Sequence, residues 1–234
     1  MSFHYSPKVV TNGLLMYLDA GNTKSYIGTG SSWLSLSNVT NSDAILMYTA
    51  SYSPSNNSML FNGNYDVVNC GGNGVSGIYN ITASITLDVW VKPTTLRNNS
   101  FIITKGWGDT FQIQANSTNY QFYVYGPTTS AHGVTSNTVP VINKWYNIVG
   151  TFDGANVKIY INGILENTTV YNGPIQTSTS FRLAVGNISH MITSTTYPNQ
   201  GFIGYISVAK VYNRALISSE VLQNYLALKG RYGL

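Results

Sequence analysis

The chain has 234 residues, of which 9% are charged, and a formal net charge of +4. That charged fraction is far below the ~25% usual for soluble proteins, and Ser, Thr and Asn supply the polarity instead. The basic residues are scattered, so the basic stripe of a nucleic-acid binder is missing, and no apolar run approaches the ~18 residues that a membrane span requires. One cysteine, Cys70, excludes an intrachain disulfide and reads as a small buried hydrophobe. The opening residues MSFHYSPKVV lack a charged lead followed by an apolar core, so no secretory signal is expected there.

Residues 13–22, GLLMYLDAGN, predict a first strand closed by Gly21 and Asn22. Residues 26–57 read as Ser-, Asn- and Thr-rich loop around a short strand, AILMY, at 44–48. Two strands follow around a turn at Asn62-Gly63, and the Gly-rich stretch 70–77 reads as loop. ASITLDVWVKP alternates most cleanly: Ile85, Leu87, Val89 and Val91 point one way, and Thr86, Asp88, Trp90 and Lys92 the other. FIITKG and TFQIQ are strands joined by a turn over 105–109. In NYQFYVYG, Tyr120, Phe122 and Val124 share one face, while Gln121, Tyr123 and Tyr125 share the other.

Residues 145–171 predict a three-stranded meander, with Val157, Ile159 and Ile161 on one face of its middle strand. Its turns are Asp153-Gly154 and Asn162-Gly163; the second suits a type I′ hairpin, which needs positive φ at both central positions. SFRLAVGN and GFIGYISVAKVYN are the last strands. A helix of about residues 219–229 then follows, with Ser218 as its cap, Glu220 in its first turn and Gly230 as its end. Val221, Leu222, Tyr225 and Leu228 form its apolar stripe, which must pack on something because so short a helix does not stand alone. Many short strands parted by turns, with no composition break and no repeat, predict an all-β sandwich or jelly roll.

Glycoside hydrolysis needs two carboxylates facing each other ~5–9.5 Å apart. Glu166 and Glu220 are the only glutamates, and neither has a second acid at strand spacing. Asp88 stands alone on its strand, and Asp109 and Asp153 read as turn residues. His4, His132 and His190 are far apart and lack the spaced partners of a zinc site. No serine sits in a Gly-x-Ser-x-Gly elbow. No catalytic residue, no cofactor and no metal site is therefore expected.

The eighteen Tyr and four Trp are the stronger lead. Flat rings cover the C–H faces of sugars while amides satisfy the hydroxyls, and neither needs charge. The same rings also suit protein interfaces. The candidate ligand-binding residues are Trp107, in the Gly-flanked turn KGWGD, together with Tyr123, Tyr125 and Tyr160. The loops around Trp107 and over 132–137 would form the rim of such a site. Packing in the core or under loops is the competing reading for each ring, and it is the favoured one for Trp90 and Trp145.

Five segments occur in a telling order: ASITLDVWVKP, FIITKG, KWYNIVGTFDGANVKIYINGIL, LAVGN and GFIGYISVAKVYNRALISSEVLQNY. Together they resemble the laminin-G-like, concanavalin-A-like lectin/glucanase domain family over about residues 14–225. The resemblance implies a two-sheet antiparallel jelly roll, one domain over 1–234, with its closing helix packed at a sheet edge. The enzyme branch carries Glu-x-Asp-x-x-Glu on one strand, and this chain has no such run. Family members can hold calcium with an Asp in a Gly-x-Ile-Asp last strand. Here that strand reads Gly204-Tyr205-Ile206-Ser207 and only Asp19 is retained, so no dedicated calcium site is expected.

The single-domain layout and MYLDAGNTKSY resemble members encoded by tailed, especially aquatic, bacteriophages. The expectation is a non-enzymatic virion protein: a capsid decoration, tail or fibre component. Its partners would be other virion proteins and host surface glycans, its location virion or extracellular, and its assembly a homo-oligomer such as a trimer. A free carbohydrate-binding or adhesion module is the alternative, and a glycoside hydrolase the remote one.

Overall fold

Period-two alternation decides which residues of each strand turn inward. The computed structural model describes residues 7–71 and 77–234; His4 and most of the Gly-rich stretch 70–77 lie outside the described residues. Sixteen strands occur among the described residues. The first eight are β1 (Leu14–Asp19), β2 (Ser32–Trp33), β3 (Ala44–Met47), β4 (Ser51–Ser53), β5 (Ser58–Asn62), β6 (Val67–Cys70), β7 (Ile85–Pro93) and β8 (Ser100–Lys105). The others are β9 (Phe111–Ala115), β10 (Tyr120–Tyr125), β11 (Ala131–Thr135), β12 (Tyr146–Phe152), β13 (Asn156–Ile161), β14 (Ile164–Val170), β15 (Leu183–Val185) and β16 (Ile203–Tyr212). Helix α1 (Ser218–Leu228) follows.

The strands form two antiparallel sheets of eight. The first runs β14-β13-β12-β7-β16-β5-β4, with β1 also bonded to β16; the second runs β11-β10-β9-β8-β15-β6-β3-β2. Their inner faces meet in one core, which holds Leu87, Val89 and Val91 of β7 against Ile103, Ile113, Phe122 and Val185 of the facing sheet. This is the all-β, jelly-roll-like sandwich that the alternation predicts. The meander of β12, β13 and β14 is present, with Asn162 at φ +51 and Gly163 at φ +80 in its second turn.

β5 and β6, expected around one turn, belong to different sheets. The Asn62-Gly63 turn therefore carries the chain across the sandwich instead of closing a hairpin. β2, β4 and β11 fall in segments that read as loop, because two to five residues show too little alternation to stand out.

β16 organises the first sheet. It pairs with β7 along one edge and, on the other, with β5 through Ile203–Ile206 and with β1 through Val208–Tyr212. The change of partner falls at a bulge, where Ser207 accepts the Ala20 N–H on its backbone oxygen and donates its hydroxyl to Asn57 O (2.8 Å).

α1 lies over the outward face of this sheet, not at an edge as the family resemblance implies. A buried polar network fastens it. Lys210 Nζ and Asp88 Oδ2 pair at 2.6 Å with both side chains fully buried. Asn147 Nδ2 donates to Asp88 Oδ1 (2.8 Å), and Asn224 Nδ2 of the helix donates to Asp88 Oδ2 (3.0 Å) and Tyr212 Oη (2.9 Å). Asn224 Oδ1 accepts the Val10 N–H (2.9 Å), and the Tyr212 hydroxyl donates to Val10 O (3.0 Å). The Trp90 ring stacks on Tyr225 and Tyr232, with centroids 5.7 and 4.1 Å away.

Ser218 is the first helical residue and Ile217 the cap. Isoleucine has no side-chain acceptor, so only half of a capping box forms: Glu220 Oε2 receives the Ile217 N–H (3.0 Å). Arg214 grips the same carboxylate through two bonds of 2.8 and 2.7 Å and is the main cause of its lowered pKa. Gly230 does not end the helical stretch; a 3₁₀ turn continues over Lys229–Tyr232, and Gly233 at φ +73 closes it. Leu222, counted in the apolar stripe, is exposed.

Candidate functional site

The outward face of the second sheet is built by the same alternation. On β9, Phe111, Ile113 and Ala115 enter the core, which sends Gln112 and Gln114 outward. On β10, Tyr120, Phe122 and Val124 turn inward and Gln121, Tyr123 and Tyr125 outward. Register places Tyr123 opposite Gln112, Gln121 opposite Gln114, and Phe101 of β8 opposite Gln114 from the other side. A register shift between Phe101 and Ile103 buries Ile102 and Ile103 together and leaves Phe101 on the outward face. On β11, Gly133 faces Tyr123, and a Cβ there would stand 2.2 Å from the ring, so glycine is what lets Tyr123 lie against the edge strand.

Trp107 tops the turn between β8 and β9. Gly106 (φ +85) and Gly108 (φ +74) make the turn possible, and Asp109 Oδ2 accepts the Trp107 N–H (3.0 Å). The ring is 44% exposed and contacts Tyr197 and His190 at centroid distances of 5.1 and 6.3 Å.

Trp107, Tyr123 and Tyr125 line one groove of about 350 Å³, together with Phe101, Gln112, Gln114, Asn99 and Gln200. Tyr123 and Tyr125 stack at 6.1 Å. Burial raises the pKa of the Tyr123 phenol and, with smaller effects from Tyr123 and Asp109, pushes that of Tyr125 up to about 12. Both therefore stay neutral hydroxyls at ordinary pH. The amides form a ladder across the strands: Gln112 Nε2 donates to Gln114 Oε1 (2.9 Å), Gln114 Nε2 to Gln121 Oε1 (2.7 Å), and Gln121 Nε2 to Thr135 Oγ1 (3.5 Å).

Three of the four rings expected from sequence thus converge. Tyr160 does not, and its assignment as an exposed binding residue is corrected: it is 1% exposed, on the other sheet, packed with Val149, Leu216 and Val221. Alternation turns it outward as expected, but α1 covers it and Ser218 Oγ lies 3.2 Å from its hydroxyl. Trp90 is fully buried and Trp145 half-buried, 4.6 Å from Tyr232. The expected rim over 132–137 is mostly edge strand β11, and His132 stacks on Tyr171 at 3.6 Å. Gln112 and Gln114 escaped the sequence reading; their signal was alternation in TFQIQ, which gains meaning only when register sets them beside Tyr123.

The carboxylates are engaged elsewhere. Asp19 receives two bonds from Arg231 (2.5 and 3.1 Å), and also the Gly21 N–H and the Tyr17 hydroxyl. The acid retained from a calcium site in the family thus faces an arginine. Glu166 accepts the backbone N–H groups of Asn137 (2.7 Å) and Thr138 (2.9 Å). The groove lining holds no carboxylate, and no three His, Cys, Asp or Glu side chains gather into a metal-binding group among the described residues.

No curated protein matches the chain. Among solved structures, domain 4 of AbnA, a GH43 extracellular arabinanase from Geobacillus stearothermophilus, in complex with arabinotriose, superposes with a TM-score of 0.64 at 16% identity, covering 93% of this chain and 100% of that one. The ligand binding domain of botulinum neurotoxin serotype D, in complex with N-acetylneuraminic acid, gives 0.63 at 12%, covering 92% of this chain and 51% of that one. The binding domain of Paraclostridial Mosquitocidal Protein 1 gives 0.62 at 12%, covering 91% and 52%. This chain spans about half the length of both toxin binding domains. At these identities the likeness is one of fold. A family model described as the concanavalin A-like lectin/glucanases superfamily matches residues 62–222. With that match over most of its length, the chain belongs to the concanavalin A-like lectin/glucanases superfamily.

Proposed function

We propose that this protein is a non-enzymatic carbohydrate-binding protein whose ligand lies in the groove on the outward face of the second sheet. The observation that carries the reading is the convergence of Trp107, Tyr123 and Tyr125 with Gln112 and Gln114 in one concave lining. The rings offer flat apolar faces to sugar C–H groups, and the amides offer donors and acceptors to sugar hydroxyls. Hydrolysis is not supported, because the lining lacks the two carboxylates that it needs. The AbnA domain, matched over its whole length and solved in complex with arabinotriose, supports the reading.

A glycan array followed by calorimetry tests it. Trp107→Ala and Tyr123→Ala should each weaken binding by about 1–4 kcal/mol, as central aromatic anchors do, while both variants still melt cooperatively. Two folded variants that bind as the parent does would remove the groove from consideration.

We further propose that the protein works on a virion, as a decoration, tail or fibre component among other virion proteins, and that it is oligomeric there, for instance trimeric. The charge-poor, Tyr-rich composition supports this, since Tyr makes rigid uncharged contacts. Electron microscopy and cross-linking of the source particle would decide it. Isolated copies without mutual contacts would exclude the oligomer, and absence from the particle would leave a free binding module.

A further inference from the structure

The charges around the groove bear on which glycans it takes, an inference that rests on the carbohydrate-binding reading above. The lining contains aromatic rings and amides, and no Lys, Arg, His, Asp or Glu. The basic side chains of Arg97, Lys105 and His190, on the segments that frame it, are engaged elsewhere: Arg97 donates from Nη2 to Gly63 O (2.8 Å) and Gly201 O (2.5 Å). Lys105, at the end of β8, is buried and donates from Nζ to Ser178 O (2.6 Å) and Phe181 O (2.7 Å). His190 packs behind Trp107 against Phe181 and Tyr197, and burial holds its pKa below the ordinary value, so it is uncharged at pH 7. Asp109 sits at the foot of the Trp107 turn and acts electrostatically on Tyr125. The lining itself thus carries no charge, although the whole chain carries +4.

The amide ladder adds a direction. Each amide donates to the next side chain from Gln112 toward Thr135, and Gln114 Nε2 also reaches Asn99 Oδ1 (3.4 Å). Gln112 Oε1, at the start, receives no hydrogen bond from the described residues and remains an acceptor beside the stacked tyrosines. A hydroxyl can satisfy it by donating, whereas a carboxylate or sulfate has no proton to give. An acidic group in the groove would lose water without gaining a counter-ion from the lining.

We propose that the groove selects neutral glycans and rejects their carboxylated or sulfated counterparts. The test is an array that places each neutral oligosaccharide beside its sialylated or sulfated form, read at about 0.15 M salt, where the long-range pull of the basic chain is screened within ~8 Å. The expected result is at least tenfold weaker binding of the acidic member of each bound pair. Gln200→Lys and Asn99→Lys, each placing a cation in the lining, should narrow that ratio. Equal or tighter binding of acidic members by the parent overturns the selectivity and leaves the carbohydrate reading standing. An unchanged ratio in both folded lysine variants shows that groove charge does not discriminate, which also overturns the proposal. Binding to no member of the array overturns both readings together.

Discussion

Tyr160 and Tyr123 both point outward from their sheets, yet only Tyr123 is within reach of a ligand. The difference is a contact made 58 residues downstream, where Ser218 and the helix behind it settle on Tyr160. Tyr160→Phe should cost about 0.5–1.5 kcal/mol, the worth of one ordinary hydrogen bond, and leave glycan binding unchanged. Tyr160→Ala should cost about 3–5 kcal/mol, because it empties a fully buried site. Denaturant unfolding of the pair checks both, and any loss of glycan affinity in the folded Phe variant would tie Tyr160 to binding after all. Asp88 behaves similarly. The alternating strand shows it standing alone on an outward face, but not that Lys210, Asn147 and Asn224 surround it. Lys210→Met leaves a buried carboxylate without its cation and should cost about 3–5 kcal/mol, with the double variant Asp88→Leu/Lys210→Met recovering much of that loss. Which face a side chain takes is thus readable from period-two spacing, whereas what covers that face depends on partners far along the chain.

Long alternating strands were legible one by one: β7, β10 and the β12–β14 meander lie where their patterns put them. Sheet membership was not. A turn such as Asn62-Gly63 reverses the chain, but nothing local says that β5 and β6 part to opposite layers. The groove inherits the same limit, since Tyr123 and Gln112 are neighbours only through the β9–β10 register. The terminal element was legible as a helix and misread in its role. Its continuing 3₁₀ turn brings Arg231 onto Asp19, which is 1% exposed. Arg231→Met should therefore cost about 1–3 kcal/mol by leaving that buried acceptor less satisfied. The same pairing predicts that EDTA leaves the melting temperature unchanged. A fall of several degrees, restored by calcium, would show instead that Asp19 serves a metal. A ligand present at 100 times its dissociation constant stabilises by about 2.7 kcal/mol, which melting would register.

For the molecule as a whole, the many buried phenols set the response to alkali. Burial raises the pKa of Tyr17, Tyr79, Tyr120, Tyr212 and Tyr232 well above the ordinary tyrosine value. Above pH ~10 the unfolded chain gives up these protons while the folded one keeps them. The stability they contribute is thus complete below pH ~10 and falls as pH rises further. Lys105 acts in the opposite sense. Burial lowers its pKa to about 8, so between pH ~8 and ~10 the unfolded chain holds the extra proton and stability rises slightly. Urea midpoints should climb gently from pH 8, then drop beyond pH 10; a flat profile through pH 11 would mean that the phenols are not buried as described. The placement of β16 has a further consequence, for the order of synthesis. The central strand of the first sheet is made after all three of its partners, β1, β5 and β7, and the bond from Val10 to Asn224 spans 214 residues. While the ribosome is still translating, those partners wait with open edges, exposed to mispairing with neighbouring nascent chains. The meander β8–β11 pairs locally, with only the outer edge of β8 left open for β15, so the groove-bearing strands can pair before the other half of the sandwich has its centre.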